Sequence, residues 1–175
     1  MPEVQTRGGM SDRGARPPLA QGEPAAWTRR DAVAVFAQLA APETEELPGR
    51  WNGEFVGRTV LAATARAIAA VTPLRGWCGK HVSDRETLRN LVRRGDGVHE
   101  SVAAELSRGR SRFDDEPVIA VSYRKTARPP VSFCQAELRW LVPGEELLGL
   151  LSIVLGPLAV GPFPFRLQRR ATDAV

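Results

Sequence analysis

The residues best suited to chemistry in this chain lie in two short segments. The first, "GWCGKHV" at residues 76–82, places an indole, a thiol, an ammonium and an imidazole close together. The second, "VSYRK" at residues 121–125, contains the only tyrosine of the chain beside two basic residues. Groups of these types can form a nucleophile pair, or can bind and polarise a carbonyl group.

The first segment does not predict a Cys–His nucleophile pair. On an extended strand side chains alternate, so Cys78 and Lys80 would share one face and His81 would point to the other. His81 is still the better functional candidate of the two histidines. His99 follows a glycine-rich turn, and we expect it to be solvated.

In the second segment, the same alternation separates Tyr123 and Lys125 from Arg124. A tyrosine directed into an apolar cavity would donate a hydrogen bond to a carbonyl group and orient or polarise it. A packed tyrosine with its hydroxyl at the rim of the protein is the alternative, and the sequence leaves both open.

Two charged groups have a structural explanation as well as a chemical one. The acids Asp114, Asp115 and Glu116 precede a proline; buried, they would raise one another's pKa, but a solvated bend is the favoured interpretation. Glu137 and Arg139 share a strand face and are interpreted as a surface ion pair. The sequence suggests no metal site, and we expect no cofactor.

Composition places these segments in a globular protein. The 175 residues are 43% hydrophobic and 25% charged, which is enough for one domain with a core. The net charge is +4 and the pI about 9.8, yet the arginines are dispersed, so no nucleic-acid partner is expected. Residues 1–26 are rich in Gly, Pro and Arg and predict a disordered tail, which leaves residues 27–175 as a single domain.

Three helices are predicted on the N-terminal side. One begins at Thr28, where an acid three residues later forms a capping box, and a second covers the alanine-rich residues 58–71. The third covers residues 83–95, with a capping box from Ser83 to Glu86 and a glycine stop.

The rest of the chain predicts an antiparallel meander of short strands. The stretch 147–155 is apolar on both faces, which is typical of a strand between two layers or one that lines an apolar cavity. With short strands around Trp51 and Trp77, seven or eight strands would curl into a small antiparallel β-barrel, mainly β with two or three helices. The predicted strands are near residues 110–114, 117–124, 131–142, 145–155 and 163–170.

Other features bear on the compartment. The uncharged stretch 147–165 is broken repeatedly by Gly and Pro, so it predicts buried strands rather than a membrane span. No secretory signal pattern is present, and Cys78 and Cys134 lack metal-site spacing. We therefore expect two reduced thiols in a cytoplasmic protein.

The segment "LPGRWNGEFVG" at residues 47–57 sets a tryptophan between glycines. Where the first strand of a small barrel crosses its end, Trp51 would plug that end. Gly49 and Gly53 would permit the bend and a close backbone approach. A buried tryptophan without a binding role is the alternative.

With "GWCGKHV", "RFDDEPVIAVSYRK" and "FPFRLQR", this segment resembles the successive landmarks of the GXWXG family of little-characterised bacterial proteins, over residues 31–170. The Gly-x-Trp is also similar to that of lipocalin-like barrels, which implies a cavity for an apolar small molecule. Ala120 and Ser152 stand where the resemblance implies acids. We therefore expect that polar groups have been lost from the interior and that the pocket is more apolar.

Three functions follow as hypotheses. The first is a cofactor-free cyclase or pericyclase of secondary metabolism that folds an apolar, polyketide-like substrate by proximity and orientation. The second is a non-catalytic carrier of a lipophilic ligand, and the third a haem-binding barrel with His81 as the haem ligand. A homodimer is left open. The candidate site consists of Tyr123 as the catalytic group, Trp51, Trp77 and Trp140 as cavity walls, Lys80 or Arg124 at the mouth, and His81.

Overall fold

The computed structural model describes residues 23–170. Of the predicted tail, only residues 23–26 fall within this range, and Pro24–Ala26 form a 3₁₀ turn. The remainder of that prediction lies outside the described residues.

Two of the three predicted helices are confirmed. Helix α1 spans Arg29–Phe36 and begins with the expected capping box, in which the Thr28 hydroxyl accepts a hydrogen bond from the Asp31 amide at 3.2 Å. The Asp31 carboxylate in turn accepts from the Thr28 amide at 2.8 Å. Helix α2 spans Thr59–Ala70, close to the predicted 58–71.

Eight antiparallel strands form a closed barrel, which confirms the predicted fold class. Each strand pairs with its neighbours in sequence, and β1 closes the barrel by pairing with β8. Helix α2 connects β1 to β2 and covers the end of the barrel where the odd-numbered strands finish. The strands are β1 Gly49–Phe55, β2 Trp77–Val82, β3 Thr87–Arg94, β4 Gly97–Arg110, β5 Pro117–Ser122, β6 Cys134–Val142, β7 Glu146–Leu155 and β8 Leu158–Arg169.

The prediction of a third helix at residues 83–95 is wrong, because most of this segment is strand β3. Arg93 pairs with Val98 and Arg94 with Gly97, so Gly95 and Asp96 form a two-residue hairpin loop. The glycine that was interpreted as a helix stop is therefore a hairpin residue. The supposed cap is a turn, since the Glu86 amide donates to the Asp84 carboxylate at 2.8 Å.

The prediction of a strand at residues 110–114 is also wrong. Strand β4 is long because its first part pairs with β3 and its last part with β5, and it ends at Arg110. The chain then turns, and the Asp115 amide donates to the Ser111 carbonyl at 2.9 Å. Asp115, at the end of this turn, has a left-handed φ of 58°.

Both explanations offered for the doubly apolar strand hold for β7. Leu147 and its inward neighbours belong to the barrel core, whereas Leu148 and Leu150 pack on the outer face beneath α1. The stretch 147–165 is thus strand, turn and strand, as predicted. Among residues 23–170, no helix combines the length and apolar character needed to cross a membrane.

Candidate functional site

The end of the barrel beneath α2 contains a cavity with mostly apolar walls. The space that the centre of a water-sized sphere can reach is about 70 Å³. Helix α2 contributes three small or medium side chains to its roof, the turn after it contributes Thr72, and aromatic rings form much of the wall. From the helix these are Ala65, Ile68 and Ala69, and from the barrel the rings of Phe55, Trp77, Tyr123 and Phe165.

Three polar side chains meet in this cavity, one from β2, one from β3 and one from the residue directly after β5. The Lys80 ammonium nitrogen lies 2.8 Å from the Tyr123 hydroxyl and 2.9 Å from Asn90 Oδ1. The Tyr123 hydroxyl donates to Asn90 Oδ1 at 3.1 Å, and Trp77 Nε1 donates to the same oxygen, also at 3.1 Å. Asn90 is fixed in this orientation because its Nδ2 donates to the Val102 carbonyl at 2.8 Å. We call Lys80, Asn90 and Tyr123 the polar cluster.

Lys80 is only 3% exposed and lies among aromatic rings. Its nitrogen is 5.5 Å from the ring centroid of Tyr123 and 5.7 Å from those of Trp77 and Phe165. Ring faces attract a cation, and this attraction offsets part of the cost of burying Lys80. The sequence expectation had placed Lys80 at the cavity mouth, whereas the structure buries it.

A β-bulge in β2 brings Trp77 and Lys80 into the same cavity. The pairing register with β3 shifts between Trp77 and Gly79, so simple alternation does not apply here. The extra residue, Cys78, does not line the cavity. The expectation that Cys78 would share a face with Lys80 assumed a regular strand.

The glycines around the tryptophans permit this close packing. A Cβ on Gly53 would lie 2.6 Å from the Trp77 ring, and a Cβ on Gly79 would lie 2.0 Å from the Trp51 carbonyl oxygen. Gly79 also has a φ of +154°. Strand β1 can therefore pair closely with β2, with the Trp77 ring against Gly53, only because both positions lack a side chain.

Trp51 plugs the opposite end of the barrel, as the Gly-x-Trp-x-Gly spacing predicts. It is fully buried, its Nε1 donates to the Leu47 carbonyl at 2.9 Å, and its ring packs 6.1 Å from that of Trp140. The Arg169 guanidinium lies 4.3 Å from the Trp51 ring centroid and covers it from outside. Trp51 and Trp140 do not line the cavity beneath α2.

Two further candidates lie away from the cavity. His81 is on the outer wall, where its Nδ1 is 2.7 Å from a Glu100 carboxylate oxygen. Arg124 is an exposed turn residue after β5. Of the sequence candidates, the structure thus brings together Trp77, Lys80 and Tyr123, and separates His81 and Arg124 from them.

Ala120 and Ser152 do not bear on the interior. Ile119 and Val121 of β5 face the barrel core, so Ala120 between them faces outward. Ser152 lies on the outer row of β7 with Leu148 and Leu150. The expectation that these positions remove polar groups from the pocket is therefore wrong.

The acidic turn has a structural role. Both Asp114 carboxylate oxygens bind Arg139, at 2.6 and 2.8 Å, and these hydrogen bonds lower the pKa of Asp114. Arg139 is 1% exposed and also donates to the Phe36 and Pro117 carbonyls. The interpretation of Glu137 and Arg139 as a surface ion pair is wrong, because Arg139 is buried beneath α1 and pairs with Asp114.

The two thiols differ in their relation to the cavity. Cys134 lines it, and burial raises the pKa of its thiol although Lys80 acts in the opposite direction. Burial also raises the pKa of Cys78, which lies outside the cavity. Within residues 23–170, no group of three or more His, Cys, Asp or Glu side chains is placed to hold a metal ion.

Sequence reasoning did not identify Asn90, the residue that joins the polar cluster. It lay within the supposed third helix, where an asparagine has no obvious role. The two-residue Gly-Asp loop that follows is the signal that could have placed it on a strand. In that register Asn90 is paired with Lys80 on β2.

Comparison with known proteins supports the fold and goes no further. No family model matches the chain, so membership of the GXWXG family is not confirmed. No curated protein matches it either. A structure described as "Crystal structure of protein from Thermomonospora curvata" is similar, with a TM-score of 0.63 and 20% identity over 83% of this chain and 89% of that one. The closed eight-stranded barrel fits a lipocalin-like character.

Proposed function

We propose that this protein binds an apolar small molecule in the cavity beneath α2, with a polar end of the ligand against the polar cluster. The observation that carries this proposal is a buried Lys80, held by Asn90 and Tyr123, in a cavity that is otherwise apolar. Ligand sites combine these features: apolar walls supply affinity and a few fixed polar groups supply orientation.

The size of the cavity defines how a ligand must enter. The present space suits a head group or a short chain, so a longer molecule requires α2 to move outward. The roof side chains of α2 are small, and this movement would uncover the mouth without disrupting strand pairing.

The test is to identify compounds that co-purify with the protein by mass spectrometry, and then to titrate them calorimetrically. Ala69 lines the cavity and Ala67 is exposed on the same helix. Ala69→Phe should abolish binding, and Ala67→Phe should leave it unchanged. Equal binding by both variants would place the ligand elsewhere.

A cyclase or pericyclase is the second candidate. It is favoured by the convergence of the Lys80 and Tyr123 polar atoms on one point beside the Trp77 and Phe165 rings. A substrate carbonyl at this point would be polarised, while the walls would hold an apolar chain in a reactive shape without a cofactor. Turnover of a co-purified polyketide-like compound, lost in Tyr123→Phe, would support catalysis. If the protein binds the compound but does not convert it, the carrier function is supported instead.

A further inference from the structure

Among residues 23–170, two basic side chains are almost completely buried, and they differ in whether a carboxylate pairs with them. Arg139 has a carboxylate partner, because Asp114 binds it through two oxygens. Lys80 has no carboxylate within ion-pair distance among residues 23–170. Its hydrogen-bond partners are an amide oxygen and a phenol, neither of which is a carboxylate.

The hydrogen bonds of the polar cluster leave Lys80 with donor capacity. An ammonium group has three N–H donors, and the described contacts use one on Asn90 and one on Tyr123. Asn90 Oδ1 already accepts from Lys80, Trp77 and Tyr123, which exceeds its two lone pairs. An additional acceptor in the cavity could therefore take one of the hydrogen bonds now made to Asn90 Oδ1, or accept from the third N–H of Lys80.

We propose that the ligand of this cavity is an apolar monocarboxylate whose carboxylate pairs with Lys80. A buried cation without a counter-ion is costly, and an anion brought by the ligand offsets part of that cost when it binds. This inference rests on the proposed function, since it names the class of molecule that occupies the same cavity.

The charge of the lining selects a carboxylate over a phosphate monoester. Lys80 is the only Lys or Arg side chain that lines the cavity within the described residues. A group with two negative charges would remain uncompensated in these apolar surroundings. The remaining wall, including Leu151, Ile153 and Val131, suits an alkyl or polyene chain that extends from the head group towards the mouth.

The experiment compares acids with alcohols of the same chain length. Octanoate and dodecanoate are titrated calorimetrically at pH 8 against octanol and dodecanol, so that only the head group differs. The acids should bind at least tenfold more tightly than the alcohols. Lys80→Met should reduce binding of the acids at least tenfold and leave the alcohols unchanged. Lys125→Met, at an exposed lysine paired with Glu105, is the matched control and should change neither.

A second variant tests the pairing with the carboxylate without substitution of Lys80. Asn90→Asp places a carboxylate 2.9 Å from the position of the Lys80 nitrogen and should weaken the acids while sparing the alcohols. Equal affinity of acids and alcohols for the unmodified protein would overturn the monocarboxylate inference and leave the proposed function standing. Failure of all four probes to bind would count against the binding cavity itself.

Discussion

The Lys80 ammonium nitrogen and the Tyr123 hydroxyl lie 2.8 Å apart inside the barrel, although the two residues are 43 positions apart in sequence. Lys80 is on β2 and Tyr123 directly follows β5, and Asn90 on β3 accepts a hydrogen bond from both. Since these groups face a cavity beneath α2, their contact is the basis for the proposed function. It also defines how the surrounding residues should respond to substitution.

Removal of the shared acceptor should destabilise the protein mainly through Lys80. Asn90→Leu leaves a buried ammonium without its amide partner, and we expect the free energy of unfolding to fall by about 3 kcal/mol. Lys80→Met in the Asn90→Leu background should restore about 2 kcal/mol, because the orphaned charge is then gone. Urea unfolding of the two single variants and the double variant measures this coupling. Additive losses would show that the two side chains do not interact.

The glycine-tryptophan packing predicts a large difference between two glycines on strands. Gly53→Ala would set a Cβ 2.6 Å from the Trp77 ring and 2.9 Å from the Gly79 Cα, so we expect a loss of about 2 kcal/mol. Gly109→Ala is the control, since its Cβ would meet only the Ala120 Cβ at 3.7 Å. Its free energy of unfolding should stay within about 0.5 kcal/mol of that of the unmodified protein. Similar losses at both sites would refute the tight approach of β1 and β2.

The Asp114–Arg139 pair predicts a pH dependence of stability. Arg139 lowers the pKa of Asp114 in the folded state below its ordinary 3.8, so the contribution of Asp114 is fully present above that value. It is lost as the pH falls through the folded-state pKa. Asp114→Asn should therefore cost about 3 kcal/mol at pH 7 and progressively less towards pH 2. Denaturant unfolding of both proteins from pH 7 to pH 2 measures how the difference in their free energies of unfolding changes. A difference that stays constant with pH would contradict the pairing of Asp114 with Arg139.

The two cysteines should report on occupancy of the cavity. Burial raises the pKa of both thiols, so both should react with iodoacetamide more slowly at pH 8 than in unfolded protein. A bound ligand should slow alkylation of Cys134 further, because Cys134 lines the cavity, and leave Cys78 unchanged. Peptide mass spectrometry separates the two sites. Equal protection of both thiols would indicate general stabilisation instead of a ligand beside Cys134.

Where side-chain type alone constrained the backbone, the sequence predicted the structure well. The Thr28 cap, the doubly apolar β7 and the plug formed by Trp51 each follow from local physics, and the barrel follows from them together. The prediction of a third helix was wrong because Leu88, Leu91 and Val92 fit the apolar stripe of a helix as well as they fit a strand. Pairing with β2 and β4, which is not local, decided the outcome.

The candidate site was predictable only in part for the same reason. Tyr123 and Lys80 stood out by their chemistry, but their contact depends on barrel closure and on the bulge at Cys78. Alternation could not anticipate that bulge. Asn90 was hidden by the wrong secondary structure, and a buried pairing of Arg139 with Asp114 could not be read from residues 25 positions apart.

The most direct test of the binding cavity is contact quenching of tryptophan fluorescence by octanoate and octanol that carry bromine at the far end of the chain. Trp77 lines the cavity, whereas Trp140 packs at the opposite end. A ligand beneath α2 should quench the unmodified protein and Trp140→Phe with a saturable dependence on concentration, and this quenching should disappear in Trp77→Phe. Saturable quenching that persists in Trp77→Phe, or its absence from the unmodified protein, would contradict the account.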